Sequence, residues 1–136
     1  MAVTELGQTQ TFKASSNIAG TDYQYCPVIL SGIDTVDYAG ANGKVIGILM
    51  NKPINAGDAA EVLTASGVKC KCKVADIGIA FSDALEAEGT SAYRATKFTI
   101  NTAGTTTYLI GYSVDRTTTK AGAIITIITC FAPTGY

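Results

Sequence analysis

"VIGILMNKPINAGDAAEVLT", Val45 to Thr64, decides the fold, because its layout returns as "LIGYSVDRTTTKAGAIITIIT" from Leu109 to Thr129. Each stretch has an apolar residue, then Ile-Gly, then a short apolar run. A polar loop with Ala-Gly follows, and then a second β-like run. Ile46-Gly47 and Ile110-Gly111 stand 64 positions apart (110 − 46), and Ala56-Gly57 and Ala121-Gly122 stand 65 apart (121 − 56). The nearly constant spacing predicts a duplicated strand–loop–strand unit. Glycine inside an apolar strand marks a bulge or a close backbone approach, so Gly47 and Gly111 are expected to be such points.

Working outward from the first copy, Lys44–Met50 is apolar on both faces, as in a central strand. Asn42-Gly43 turns into it from "IDTVDY". Upstream, "DYQYCPVILSG" is a strand with Cys26, Val28 and Leu30 on one face, and Pro27 points to its start or to a sheet edge. Downstream, Ala59–Thr64 and Val68–Val74 read as strands joined at Ser66-Gly67. "AYRATKFTIN" alternates, with Phe98 and Ile100 inward. The long "AIITIITCF" run puts Ala123, Ile125, Ile127 and Phe131 on one face and Ile124, Ile128 and Cys130 on the other. An apolar strand with two such faces belongs in a barrel or sandwich core, or between subunits.

Two segments read differently. "SDALEAEG" is the one helical candidate, with Ser82 or Asp83 as cap and Gly89 as stop. Residues 1–21 are polar, with few large apolar side chains, and read as an N-terminal arm, extended or disordered until something binds it. Residues 22–136 then form a single β domain. The expected fold is all-β: a small β-barrel or β-sandwich with a duplicated strand–loop–strand unit, one short helix and an extended N-terminal arm.

Composition narrows the function. Charged residues make up 15% of the chain, against a typical value of about 25%, and there are 19 threonines. Such a surface is poor at keeping monomers apart. The net charge of −1, without a basic cluster interleaved with aromatics, gives no support to nucleic-acid binding. No apolar run has the length of a membrane helix. The start of the chain lacks the basic and apolar regions of a signal peptide, which points to synthesis in the cytosol without export by the standard route.

The chain contains no His. That removes the commonest general base and every Ser-His-Asp or Cys-His arrangement. "GANGKV" lacks the spacing of a phosphate-binding loop. Asp83 and Glu86 would share a turn of the candidate helix, where a solvated pair is the ordinary reading. In "GVKCKCKV", Val68, Cys70, Cys72 and Val74 share one strand face, and Lys69, Lys71 and Lys73 the other. The thiols read as small buried hydrophobes beneath a solvated lysine face. A zinc site would need Cys26, Cys70, Cys72 and Cys130 to converge without His. A Cys26–Cys130 disulfide runs against cytosolic synthesis. No catalytic, cofactor-binding or metal residues are assigned, and no cofactor is implied.

"YCPVILSGIDTVDYAGANGKVIGILMNKPINAGDAAEV", with the later "LIGYSVDRTTTKAGAIITI", resembles the capsid cement, or head decoration, proteins of tailed phages. Val45 to Leu49, Asn51, Pro53, Ala56-Gly57-Asp58 and Val62 match that group's first apolar pattern. Ile110-Gly111, Ala121-Gly122 and Ile125 to Ile128 match its second. The longer polar start, the Cys70/Cys72 pair and the "CFAPTGY" end depart from it. The resemblance implies a non-enzymatic β protein on the outer capsid surface. There it would join major capsid protein subunits, commonly as a homotrimer, with no nucleic-acid or membrane partner. The alternative from the residues is a β-rich head-fibre base or a glycan-binding adhesion module using tyrosine-rich loops.

Overall fold

The computed structural model describes residues 9–40, 43–75, 78–87, 95–97, 107–115 and 122–134. The described residues are all-β, in ten strands and without a helix. In chain order these are β1 (Thr9–Ala14), β2 (Pro27–Gly32), β3 (Thr35–Tyr38), β4 (Val45–Leu49), β5 (Ala59–Leu63), β6 (Lys69–Lys73), β7 (Ala84–Ala87), β8 (Ala95–Lys97), β9 (Thr107–Ser113) and β10 (Ile124–Thr134). The first five close a barrel in the order β1-β3-β2-β4-β5, and the last five form a sheet in the order β6-β10-β9-β7-β8. Val74, just past β6, bridges in parallel to Ala95 of β8, so the two outer strands of that sheet also meet.

Two expectations fail. The helix over Ser82–Gly89 is instead the strand β7, paired antiparallel with β8 and β9; residues 88–89 lie outside the described residues. Ala, Leu and Glu are good helix formers, but four residues cannot hold a helix against pairing on two sides. Leu85 and Ala87 point inward in a period of two, and Asp83 accepts from the Ala80 N–H at 2.9 Å in a turn, not at a helix cap.

The arm fails in part. Thr9–Ala14 pairs antiparallel with β5 from Thr9↔Leu63 to Lys13↔Ala59, and parallel with β3 at Lys13↔Thr35 and Ala14↔Val36. Ile18 is fully buried. Apolar content alone made this segment look like a tether, yet its backbone satisfies two strand edges that an open sheet would leave bare. Residues 1–8 of the expected arm lie outside the described residues.

Ala14, Ile18, Val28, Val36, Leu49, Ala60 and Val62 fill the barrel. A second cluster takes Ala39, Val45, Ile48 and Leu63 from the outside of the barrel and Cys72, Val74, Ile79, Leu85, Ile110, Ile125 and Ile127 from the second sheet. The two sheets therefore share one continuous apolar seam.

The Ile-Gly pairs explain how β4 serves both clusters. Pairing of β2 with β4 jumps from Val28↔Gly47 to Ile29↔Val45 and skips Ile46. The bulge shifts the alternation, so Ile46 and Leu49 face the barrel while Val45 and Ile48 face the seam. Pairing of β7 with β9 makes the same jump, from Leu85↔Gly111 to Glu86↔Leu109, and skips Ile110. A Cβ on Gly47 would lie 2.3 Å from the Leu63 carbonyl oxygen, and one on Gly111 would lie 2.2 Å from that of Ile128. Ile48 pairs with Leu63, and Tyr112 pairs with Ile128. Before β5 and β10, Gly57 and Gly122 have φ of 89° and 85°, and their N–H groups donate to Ala14 and Val74 at 2.8 Å. Residues 116–121, in the middle of the expected second copy, lie outside the described residues.

Candidate functional surface

The described residues contain no group of three His, Cys, Asp or Glu side chains placed to hold a metal, and no helix long and apolar enough to cross a membrane. Asp83 precedes β7 and Glu86 lies within it, so they do not share the helical turn that would have paired them.

Strand β6 alternates as its sequence predicts: Lys69 and Lys71 are exposed while Cys70 and Cys72 are buried. Burial pushes the Cys70 thiol up to about 11. Burial, with Cys70 and Cys26 nearby, holds Cys72 well above the usual thiol range. None of Cys26, Cys70, Cys72 and Cys130 is joined in a disulfide. Neutral, buried sulfur is packing material and a poor nucleophile. Lys73 departs from the expected solvated face. Its side chain is only 14% exposed and lies 3.7 Å from Asp22, which also meets Lys52 at 3.6 Å. The Lys73 N–H donates to the Tyr25 carbonyl at 2.9 Å, fastening β6 to the entry of β2.

The tyrosines of the first half are engaged within the fold. Tyr23 and Tyr38 pack with ring centroids 5.6 Å apart, and the Lys71 ammonium lies 5.8 Å from the centre of the Tyr25 ring. Two open clefts lie on the barrel. One, of about 400 Å³, is lined by Phe12, Lys13 and Asp34 among others. The other, of about 290 Å³, is lined by Asp22, Lys52, Pro53 and Ile54 among others. The first brings Thr11, Lys13 and Asp34 to its wall, and the second is mostly apolar.

What the surface offers instead is apolar side chains. Ile33 at the β2–β3 turn is 93% exposed, with Leu30 beside it at 52%. On the outer face of the second sheet, Tyr112, Ile124 and Ile128 are 43%, 49% and 36% exposed. The alternation of "AIITIITCF" marked Ile124 and Ile128 as one face, but nothing in the sequence marked Tyr112 as their neighbour. Phe98 and Ile100 lie outside the described residues.

No family model matches the chain, and no curated protein does. Among solved structures, the chain is similar to the N base of the head fiber gp8.5 of bacteriophage phi29. The two are 18% identical, with a TM-score of 0.56, and the match covers 90% of this chain and 92% of that one. The likeness is one of fold, and it spans both the barrel and the second sheet.

Proposed function

We propose that this protein is a structural component of a phage virion, bound to the outside of the head, with a decoration or cement role at the contacts between major capsid protein subunits. The observation that carries the reading is the fold shared with a phage head-fiber base over nine-tenths of the chain. The sequence resemblance to cement proteins over Tyr25 to Thr129 adds to it. Three buried thiols, Cys26, Cys70 and Cys72, and two open clefts fit a protein whose work is adhesion and not catalysis. The major capsid protein is the partner, the homotrimer is the assembly that the resemblance implies, and neither nucleic acid nor membrane is engaged. A second reading, the base of a head fibre, is favoured by the phi29 likeness itself.

The duplicated unit belongs to the same proposal, extended from the two hairpins to the two halves of the chain. Support comes from the order β3-β2-β4-β5 beside β8-β7-β9-β10, with β1 and β6 each antiparallel to the last of these. The shared bulges at Ile46-Gly47 and Ile110-Gly111 support it too. So do the parallel contacts Ala14↔Val36 and Val74↔Ala95.

Co-sedimentation with heads that lack the protein tests the function. A cement protein adds at many copies per head and raises the temperature at which heads rupture. A fibre base binds at few positions and leaves that temperature unchanged. Failure to bind heads under either arm removes the virion reading.

A further inference from the structure

One row of side chains runs across the first half, through Pro27, Ile48, Leu63 and Thr9, each paired with the next. The second half carries the matching row, through Ala84, Tyr112, Ile128 and Lys69. In the first row Ile48 and Leu63 are 0% and 5% exposed, because the second half of the chain covers them. In the second row Tyr112 and Ile128 keep 43% and 36% of their surface, and Ile124, further along β10 on the same face and opposite Lys73, keeps 49%. An apolar row is covered in one half and bare in the other. Exposed apolar side chains grouped on one sheet face mark an interaction site.

Charge selects the occupant. Lys69 and Lys71 border the bare row and are exposed. Residues 68–136 carry seven Lys and Arg against five Asp and Glu, a net +2. Residues 1–67 carry three against six, a net −3. The acidic half also presents the most exposed apolar side chain described, Ile33, next to Leu30 and the exposed Asp34. The chain thus holds both an apolar face with a basic rim and an apolar tip with an acidic neighbour, one on each of its two sheets.

We infer that the face formed by Tyr112, Ile124 and Ile128 receives the β2–β3 turn of a second copy of this chain, Leu30, Ile33 and Asp34, in a head-to-tail contact. Lys69 and Lys71 meet the acidic half of the incoming copy. The contact is heterologous: one copy gives its tip and the other its sheet face, and a ring closes if the rotation allows. It does not rest on binding to a virion, although a ring closed at three copies would be the homotrimer proposed above.

The test is sedimentation of the full chain in free solution over a range of concentration and salt, with two variants. Ile33→Asp spoils the tip at a position so exposed that the fold does not sense it. Ile128→Glu spoils the face. Lys69→Glu with Lys71→Glu is the second face variant should Ile128→Glu not fold. The wild type associates with concentration, and added salt weakens it. Each variant alone weakens association by more than about tenfold. Mixed together, the tip variant and the face variant restore one junction and give a dimer, never a larger species. A wild type that stays monomeric at every concentration, association that survives both variants, or a mixture that stays monomeric overturns the inference. The first of these outcomes would point to a foreign partner on this face.

Discussion

Tyr25 and Ser82, neither of them glycine, occupy the same left-handed backbone conformation, with φ of 67° and 65°. Each donates its N–H to the end of a central strand, Tyr25 to the Leu49 carbonyl at 2.6 Å and Ser82 to the Ser113 carbonyl at 2.7 Å. In return Leu49 and Ser113 donate to the carbonyls of the following residues, Cys26 at 3.0 Å and Asp83 at 2.9 Å. The positive φ turns the chain so that both bonds form as β2 and β7 begin. A side chain in this region costs about 1–2 kcal/mol. Ser82 is exposed, so its substitution tests the backbone alone. Ser82→Gly is expected to be neutral or to stabilise by up to about 1 kcal/mol, the flexibility of glycine in the unfolded chain offsetting part of the relief. Ser82→Val, β-branched, is expected to cost about 2 kcal/mol. Urea denaturation of the two variants checks the order; a valine variant as stable as the glycine one refutes it.

Gly47 and Gly111 are expected to resist even alanine. The atom that a new Cβ meets is a carbonyl oxygen of the neighbouring strand in both cases, at 2.3 and 2.2 Å. Backbone cannot swing aside as a side-chain tip does, so the hairpin must open locally. Gly47→Ala and Gly111→Ala should each cost about 3 kcal/mol, with Gly47 hit harder because Val62 Cγ1 would also lie 2.6 Å away. Thermal and urea melts measure this. Loss of under about 0.5 kcal/mol at both sites would mean that the hairpins are not held this close.

Removing residues 2–20 should unfold the domain. Without β1 the barrel loses the strand that joins β5 to β3, and Ala14 and Ile18 leave its centre. The far-ultraviolet circular dichroism and the cooperative melt should both be lost. Trimming only residues 2–8 separates this from a tether: the trimmed protein should melt as the full chain does. A folded 2–20 deletion would show that β3 and β5 close without β1.

Much of this was legible, and the misses have causes. The alternation in Lys69–Lys73 and the apolar runs at Val45–Leu49 and Ala59–Leu63 name their own strands, because side-chain period and burial coincide there. Pro27 opens β2, one of the two positions that its missing N–H allowed. Strand β1 hid because only Phe12 and Ala14 of "TQTFKA" turn from solvent, and its stability comes from backbone pairing that composition does not register. Strand β7 hid behind helix-forming residues. Ile124 and Ile128 read as core or as a face between subunits, and only the topology sets Tyr112 beside Ile128 and shows this row exposed while the row of Ile48 and Leu63 is covered.

Stability should fall on the alkaline side through the thiols of β6. Cys70 titrates at about 11 in the fold against 9.0 for an ordinary thiol, and Cys72 is shifted the same way. The folded state keeps these protons longer than the unfolded chain does. The contribution is therefore fully present below pH 9 and is lost as the pH climbs toward 11. Cys70→Ala with Cys72→Ala should still fold, at a cost of about 1 kcal/mol per site near neutral pH, and should have a flatter alkaline limb. Urea midpoints across that range decide it. Equal slopes for wild type and double variant would mean that other groups govern the loss.

The two matching rows should answer differently to the same truncation. Ile48 is fully buried in the seam between the sheets. Ile48→Ala removes packed methylenes where the seam cannot collapse, and is expected to cost about 3 kcal/mol. Tyr112 sits one residue after Gly111 as Ile48 sits after Gly47, and pairs with Ile128 as Ile48 pairs with Leu63. Yet it is 43% exposed, so Tyr112→Ala should cost the isolated monomer only about 1 kcal/mol, chiefly its contact across the strand pair. Measured at a dilution where copies do not associate, the two variants should differ by about 2 kcal/mol, the difference between a covered and a bare row. If both cost the same, then either the seam does not depend on Ile48 or Tyr112 is covered within its own chain, and the distinction between the rows is lost.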